Sequence, residues 1–240
     1  MRGGLDLFHY PGMAALGRFL EFSVPATDIR ASLDFYTTLG FTELATGDVR
    51  THHYAVVTDG RIGVGLHAGY LEKTALSFVR PELAAYVRSP EMAHTELLFQ
   101  RLGIEDFHEV GFYGPDGELI VMMEARTFSQ MLLDDVPPPV VGYLTEISLP
   151  SPEPLQSLAF WQEAGFMVDG QTDDAITLIA PGVRLGLRAS LAGGRPALQF
   201  MAADRDTLIA NLEKESIGST PTNTGLRLTA PEGTPLLIDL

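Results

Sequence analysis

Hydrophobic positions change period along this chain in a set order. Arg18 to Val24 alternates and is rich in β-formers, which predicts a strand. Asp28 then offers an N-cap, and Ile29, Leu33, Phe35 and Tyr36 supply the buried stripe of a helix that Gly40 ends. His53 to Val57 and Ile62 to His67 predict two strands, joined through Thr58-Asp59-Gly60-Arg61, a hairpin sequence. Ala75 to Val79 opens a second round as a strand. Pro81 to Val87 predicts a helix with proline in its first turn. Ser89-Pro90-Glu91 reads as another helix start, in a segment kinked at Pro90 and closed by Gly103. Gly114-Pro115-Asp116-Gly117 is a tight-turn sequence ahead of a closing strand at Leu119 to Met123.

The order then starts again. Tyr143 to Leu149 predicts a strand, Glu153 to Ala164 a helix, and Ala175 to Ile179 with Val183 to Arg188 a hairpin pair. Ala197 to Phe200 is a strand, Arg205 to Glu215 a helix, and Leu236 to Leu240 a closing strand after Ala230-Pro231-Glu232-Gly233. The repetition is literal in places. Gly17 to Phe41 reads GRFLEFSVPATDIRASLDFYTTLGF, and Gly142 to Phe166 reads GYLTEISLPSPEPLQSLAFWQEAGF. Glu21 pairs with Glu146, Ser32 with Ser157, and Phe35-Tyr36 with Phe160-Trp161, at one constant separation. Such a repeat sets the architecture. Four βαβββ-like units, two per half, predict an α+β protein of two tandem domains. The expected boundaries are an N-terminal arm at 1–16, a first domain at 17–126, a proline-rich linker at 127–141 and a second domain at 142–240. Consecutive prolines at 137–139 make that linker stiff and extended.

Composition narrows the function classes. The 240 residues suffice for two domains that each bury a core, and an apolar share of 45% fits a globular chain. A net charge of −15 repels phosphate backbones, so nucleic acid is not an expected partner. The absence of cysteine excludes disulfides, thiolate metal sites and a Cys nucleophile, and it agrees with a cytoplasmic location. No segment is long and apolar enough to predict a membrane span. No nucleophile elbow, phosphate-binding loop or dinucleotide fingerprint occurs.

The run VPATDIRASLDFYTTLGF, with GPDGELIVMME closing the same half, resembles the vicinal oxygen chelate superfamily, which includes glyoxalase I, extradiol dioxygenases and bleomycin-resistance proteins. The resemblance covers Gly17 to Arg126 and, more weakly, Gly142 to Leu240. It implies that paired βαβββ units curl into a half-barrel with helices outside and a concave face that takes substrate and metal. The superfamily's metal ligands are usually His and Glu on four strands. Carried over, those positions fall at Phe19, Gly65, Ala75 and Val121 in the first half, and at Leu144, Gly186, Ala197 and Leu237 in the second. None is a ligand type. No metal or other cofactor is therefore expected, unless a divalent metal uses non-standard ligands such as Glu21 and His67, with His108 as a further candidate.

Alternation from those positions predicts an inner face in the first half that includes Phe19, Glu21, Ser23, Gly65, His67, Ala75, Ser77, Val121 and Met123. Small residues there leave volume for a ligand. Glu21 and His67 are its strong polar groups and the candidate catalytic pair. Because Glu146 repeats Glu21, a scaffold role competes with catalysis at that position. In the second half Glu146, Arg184, Arg188 and Asp239 predict a structural ion-pair network. His52 and His53 are adjacent, so they cannot both line one site from a regular strand. Three functions remain open. The first is a metal-free protein binding a small organic molecule in its first-domain cavity. The second is a metal-dependent lyase, isomerase or dioxygenase using Glu21 and His67. The third is a non-catalytic interaction module, whose apolar inner faces would suit a homodimer.

Overall fold

A β-rich sequence with two copies of one strand–helix signature folds as two matching sheets. In the computed structural model, residues 15–46, 52–104, 107–125 and 136–240 are described. Most of the expected arm (1–14) and linker (127–135) lies outside them. The first half runs β1 (Arg18–Pro25), α1 (Ile29–Thr38), β2 (Thr42–Leu44), β3 (Tyr54–Thr58), β4 (Gly63–His67) and β5 (Ala75–Arg80). It continues through α2 (Leu83–Val87), β6 (Leu97–Arg101), β7 (Glu109–Tyr113) and β8 (Leu119–Glu124). The second half runs β9 (Tyr143–Pro150), α3 (Pro154–Glu163), β10 (Met167–Gln171), β11 (Ala175–Ala180), β12 (Val183–Arg188) and β13 (Ala197–Met201). It ends with α4 (Arg205–Lys214), β14 (Thr220–Pro221), β15 (Gly225–Thr229) and β16 (Pro235–Asp239).

Each half forms one eight-stranded sheet, ordered β2-β3-β4-β1-β5-β8-β7-β6 and β10-β11-β12-β9-β13-β16-β15-β14. The two orders are the same pattern, and the two α+β halves are the tandem domains that the repeat predicts. At the centre of each, β1 lies antiparallel to β5 and β9 antiparallel to β13. No helix among the described residues is long and apolar enough to cross a membrane.

Local chemistry explains the elements. Asp28 caps α1 by accepting the Ala31 amide at 3.0 Å, and Gly40 leaves the helix at φ +93°. The segment after Pro90 departs from the helical expectation. A single 3-10 turn at Pro90–Met92 gives way to β6, which pairs antiparallel with β7. Leu97 and Phe99 are half-buried while Leu98, Gln100 and Arg101 are exposed. That period of two outweighs the helix-start residues.

Packing joins the halves. One hydrophobic core takes residues from both sheets, with Tyr36 of α1 and Trp161 of α3 fully buried in it. Phe41 meets Phe200 edge-on at 5.9 Å, and the equivalent pair Phe166 and Phe78 does so at 6.4 Å. Helix-to-turn clamps repeat the same symmetry. Ser157 of α3 donates to Asp116 at 2.7 Å, in the turn before β8. Ser32 and Tyr36 of α1 donate to Glu232 at 2.7 and 2.8 Å, in the turn before β16. Burial first, and then the Glu232 carboxylate, hold the Tyr36 hydroxyl well above its ordinary pKa, so it remains a donor.

The first of these turns stores a pH dependence. Glu118 is 9% exposed and its Oε2 accepts the Asp116 amide at 2.9 Å. Its buried Oε1 has no hydrogen-bond partner among the described residues. Burial raises its pKa from 4.5 to about 7. The folded state therefore holds a proton that the unfolded chain has lost, and this contribution to stability fades as pH rises from about 4.5 through about 7. Glu118→Gln is expected to match wild type in acid and to be more stable by about 3 kcal/mol at mildly alkaline pH, because each tenfold gain in proton affinity on folding corresponds to about 1.4 kcal/mol. Urea unfolding of both proteins at the two pH values checks this.

Candidate functional site

The candidate site lies on the β1–β4–β5 face of the first sheet. β1 and β4 run parallel, which sets Glu21 opposite Gly63 and Pro25 opposite His67. β3 pairs with β4 so that Tyr54 faces His67 and Val56 faces Gly65. His52 lies two residues before Tyr54. On this frame the side chains form one continuous hydrogen-bonded chain. Glu21 Oε1 lies 2.9 Å from His67 Nε2, and His67 Nδ1 lies 2.9 Å from His52 Nε2. Ser23 donates to Glu21 Oε1 at 2.9 Å, and Ser77 Oγ is 2.6 Å from Ser23 Oγ. Tyr54 donates its hydroxyl to Glu21 Oε2 at 2.6 Å. His67 is 0% and Glu21 2% exposed, whereas His52 is half-buried.

One proton arrangement satisfies the whole chain. His67 donates from Nε2 to the carboxylate and accepts at Nδ1 from His52 Nε2–H. With His67 neutral, Glu21 fixes its tautomer, and His67 in turn orients His52. His52 also stacks on Tyr70, with ring centroids 4.3 Å apart and planes 4° from parallel. Tyr70 donates to Glu109, which also binds Arg101. Glu109 is buried, while the Arg101 side chain is 54% exposed. A polar path therefore runs from the centre of β1 towards the solvent at β6.

The second copy resolves the same position differently. Glu146 receives Ser148 at 2.8 Å, as Glu21 receives Ser23, but Arg188 stands where the first copy has His67. The Arg188 guanidinium binds both oxygens of Glu146. This is a closed, bidentate ion pair. Beside it Gln199 donates to Asp239 at 2.6 Å, and Thr224 donates to the other oxygen of Asp239 at 2.7 Å. Arg184 binds Asp169 at 2.7 Å on the exposed rim, rather than joining this group.

The sequence candidates divide into groups. Glu21, Ser23, His67 and Ser77 are brought together by hydrogen bonds. Ala75, Val121 and Met123 pack in a small buried apolar cluster with Leu71, Val79 and Leu119. Gly65 lies directly under Glu21: a Cβ there would sit 2.5–2.7 Å from the carboxylate. The volume freed by that glycine is thus filled by Glu21. Phe19 is a correction. A bulge between Phe19 and Glu21 shifts the register with β5, so Phe19 pairs with Phe78 and packs edge-on against it at 5.5 Å in the main core. Leu144 is turned into the core by the equivalent irregularity in β9. His108 takes other partners, Glu124 at 2.6 Å and the Gly103 carbonyl at 3.0 Å. His53 is exposed. His52, Glu109 and Arg101 are not among the site residues that the sequence suggests. Counting back by twos from Val56, which faces Gly65, reaches Tyr54 and then His52. That count could have found His52.

The metal expected from the sequence resemblance does not fit these residues. Along β1, β4, β5 and β8 the face presents Glu21, Gly65, His67, Ala75, Ser77 and Val121, of which Glu21 and His67 are usual ligand types. Both oxygens of Glu21 and both nitrogens of His67 already hold hydrogen bonds. Among the described residues no group of three or more His, Asp or Glu side chains is placed to hold a cation.

The fold is shared with extradiol dioxygenases of known structure. The chain is similar to homoprotocatechuate 2,3-dioxygenase from Brevibacterium fuscum, in a mutant form, with a TM-score of 0.58, 16% identity, and 91% of this chain and 70% of that one covered. It is similar to a catechol 2,3-dioxygenase with a TM-score of 0.58 and 12% identity, covering 91% of this chain and 86% of that one. No family model and no curated protein matches the sequence. At such identities the likeness establishes the shared fold.

Proposed function

We propose that the first half binds a small organic molecule beside His52 and exchanges a proton with it through the Glu21–His67–His52 chain. The second half serves as scaffold. The observation that carries this reading is the contrast between the copies. Both keep the glutamate and its serine, yet the first places a titratable histidine where the second places an arginine. A scaffold needs its carboxylate satisfied, and Arg188 does that. A buried His67, linked outward to a half-buried second histidine, adds the ability to take up and release a proton. The fold's dioxygenase neighbours keep a ring-cleaving or other metal-dependent reaction in view, but the side chains on this face do not supply the usual ligand set.

A melting-temperature screen of aromatic and peptide-like compounds tests this, followed by calorimetry of any hit in buffers of different ionisation enthalpy. Binding is expected to move a proton in wild type. His67→Arg, which reproduces the second copy's pair, is expected to fold, to bind at least about tenfold more weakly (about 1.4 kcal/mol) and to show no linked proton. Unchanged proton linkage in His67→Arg would count against the chain's role. Absence of any hit would favour an interaction module.

A further inference from the structure

A separate cavity lies where the halves meet, and its walls come in matched pairs. Pro25 and Pro150, the ends of β1 and β9, line it together with the two clamp turns, Asp116-Gly117 and Glu232-Gly233. Its volume is about 380 Å³, enough for a small metabolite. The pairing breaks on one side. The first half contributes Glu72 and Glu118, where the second contributes Gly194 and Thr234. The first half's wall is therefore acidic.

The cations differ too. Lys73 and Arg195 hold equivalent places, each two residues before the strand that begins at Ala75 or Ala197. Lys73 is tied back, donating to the Gly117 carbonyl at 2.6 Å and lying 3.7 Å above the Tyr113 ring. Arg195 is exposed and makes no such bond among the described residues; its guanidinium lies against Gly233. Asp116 and Glu232 are occupied by Ser157, Ser32 and Tyr36. Glu118 is not satisfied. It lines the cavity, is more than nine-tenths buried, and its Oε1 has no partner among the described residues. A buried carboxylate oxygen without a donor costs stability unless something supplies one.

We propose that this junction cavity binds a small zwitterion of the free amino-acid class, its ammonium group towards Glu72 and Glu118 and its carboxylate towards Arg195. An ammonium donor would satisfy the unpaired Oε1 of Glu118, whose Oε2 already accepts the Asp116 amide. The guanidinium fork matches a carboxylate. Because the site spans both halves, its occupant would also fasten them together. None of the three residues of the Glu21–His67–His52 chain lines the cavity.

The test is a titration of the full chain with each of the common free amino acids, read by melting temperature and by calorimetry. Butylamine and butyrate serve as single-charge controls. At least one amino acid is expected to bind saturably, and neither control to bind comparably. Glu118→Thr, which introduces the residue that the second half carries at this place, and Arg195→Ala are each expected to weaken binding by at least about tenfold, the scale of one lost charge-assisted hydrogen bond. Both variants should keep the wild-type circular dichroism spectrum. The proposal is overturned if no amino acid binds wild type, if butylamine or butyrate binds as well, or if both variants bind unchanged.

Discussion

Glu21→Ala is expected to cost about 3 kcal/mol of folding stability, the range for breaking a buried hydrogen-bonded charge group. The substitution removes the acceptor for Ser23, Tyr54 and His67 at once. Of these, His67 is fully buried and Ser23 nearly so, leaving their donors little access to water. The same change in the second copy is a useful control. Glu146→Ala strands Arg188, whose side chain is 28% exposed and can turn towards solvent. Its expected cost is smaller, about 1–2 kcal/mol, since a partly exposed pair contributes less than a buried one. Chemical denaturation of wild type and both variants decides the order. If Glu146→Ala costs as much as Glu21→Ala, burial is not what distinguishes the two glutamates.

Gly65→Ala is expected to do nearly as much damage without removing any polar group. The added Cβ would stand 2.5–2.7 Å from three atoms of the Glu21 carboxylate. A free glutamate side chain could swing aside at little cost. Here Ser23, Tyr54 and His67 all hold the carboxylate, so moving it breaks those bonds, and a loss of about 2–3 kcal/mol is expected. The mechanism predicts non-additivity. Once Glu21 is alanine the clash has no second party, so Gly65→Ala should cost much less in that background. Purely additive losses in the double-mutant cycle would show that the glycine is required for some other reason. Gly186 stands in the same relation to Glu146, with its Cβ position inside 3.0 Å of the carboxylate.

These glycines show where sequence reading succeeds and where it stops. The duplicated strand–helix signature, with Asp28 as cap and Gly40 as helix exit, makes the tandem fold legible, because such signals are local. The pairing of Glu21 with His67 is also within reach, since strict alternation puts both on one face. Phe19 is not. A bulge at Leu20 reverses alternation for everything before it, and nothing in the side chains there announces one. The 89–103 segment misleads because Ser89-Pro90-Glu91 is a genuine helix start that is used for only one turn. His52 escapes a reading in which the strand begins at His53. Its role becomes visible only when the β3–β4 register places Tyr54 opposite His67. The space suggested by Gly65 is a property of the backbone alone, and only the folded chain shows the glutamate that fills it.

Two sheets of one strand order, the first carrying the Glu21–His67–His52 hydrogen-bonded chain, are proposed to work without a bound metal. Elemental analysis of the full chain, purified without chelator, tests this most directly. Substoichiometric transition metal, unchanged in Glu21→Ala and His67→Ala, is the predicted result. One equivalent of zinc, manganese, nickel or iron per chain, lost in either variant, would contradict it.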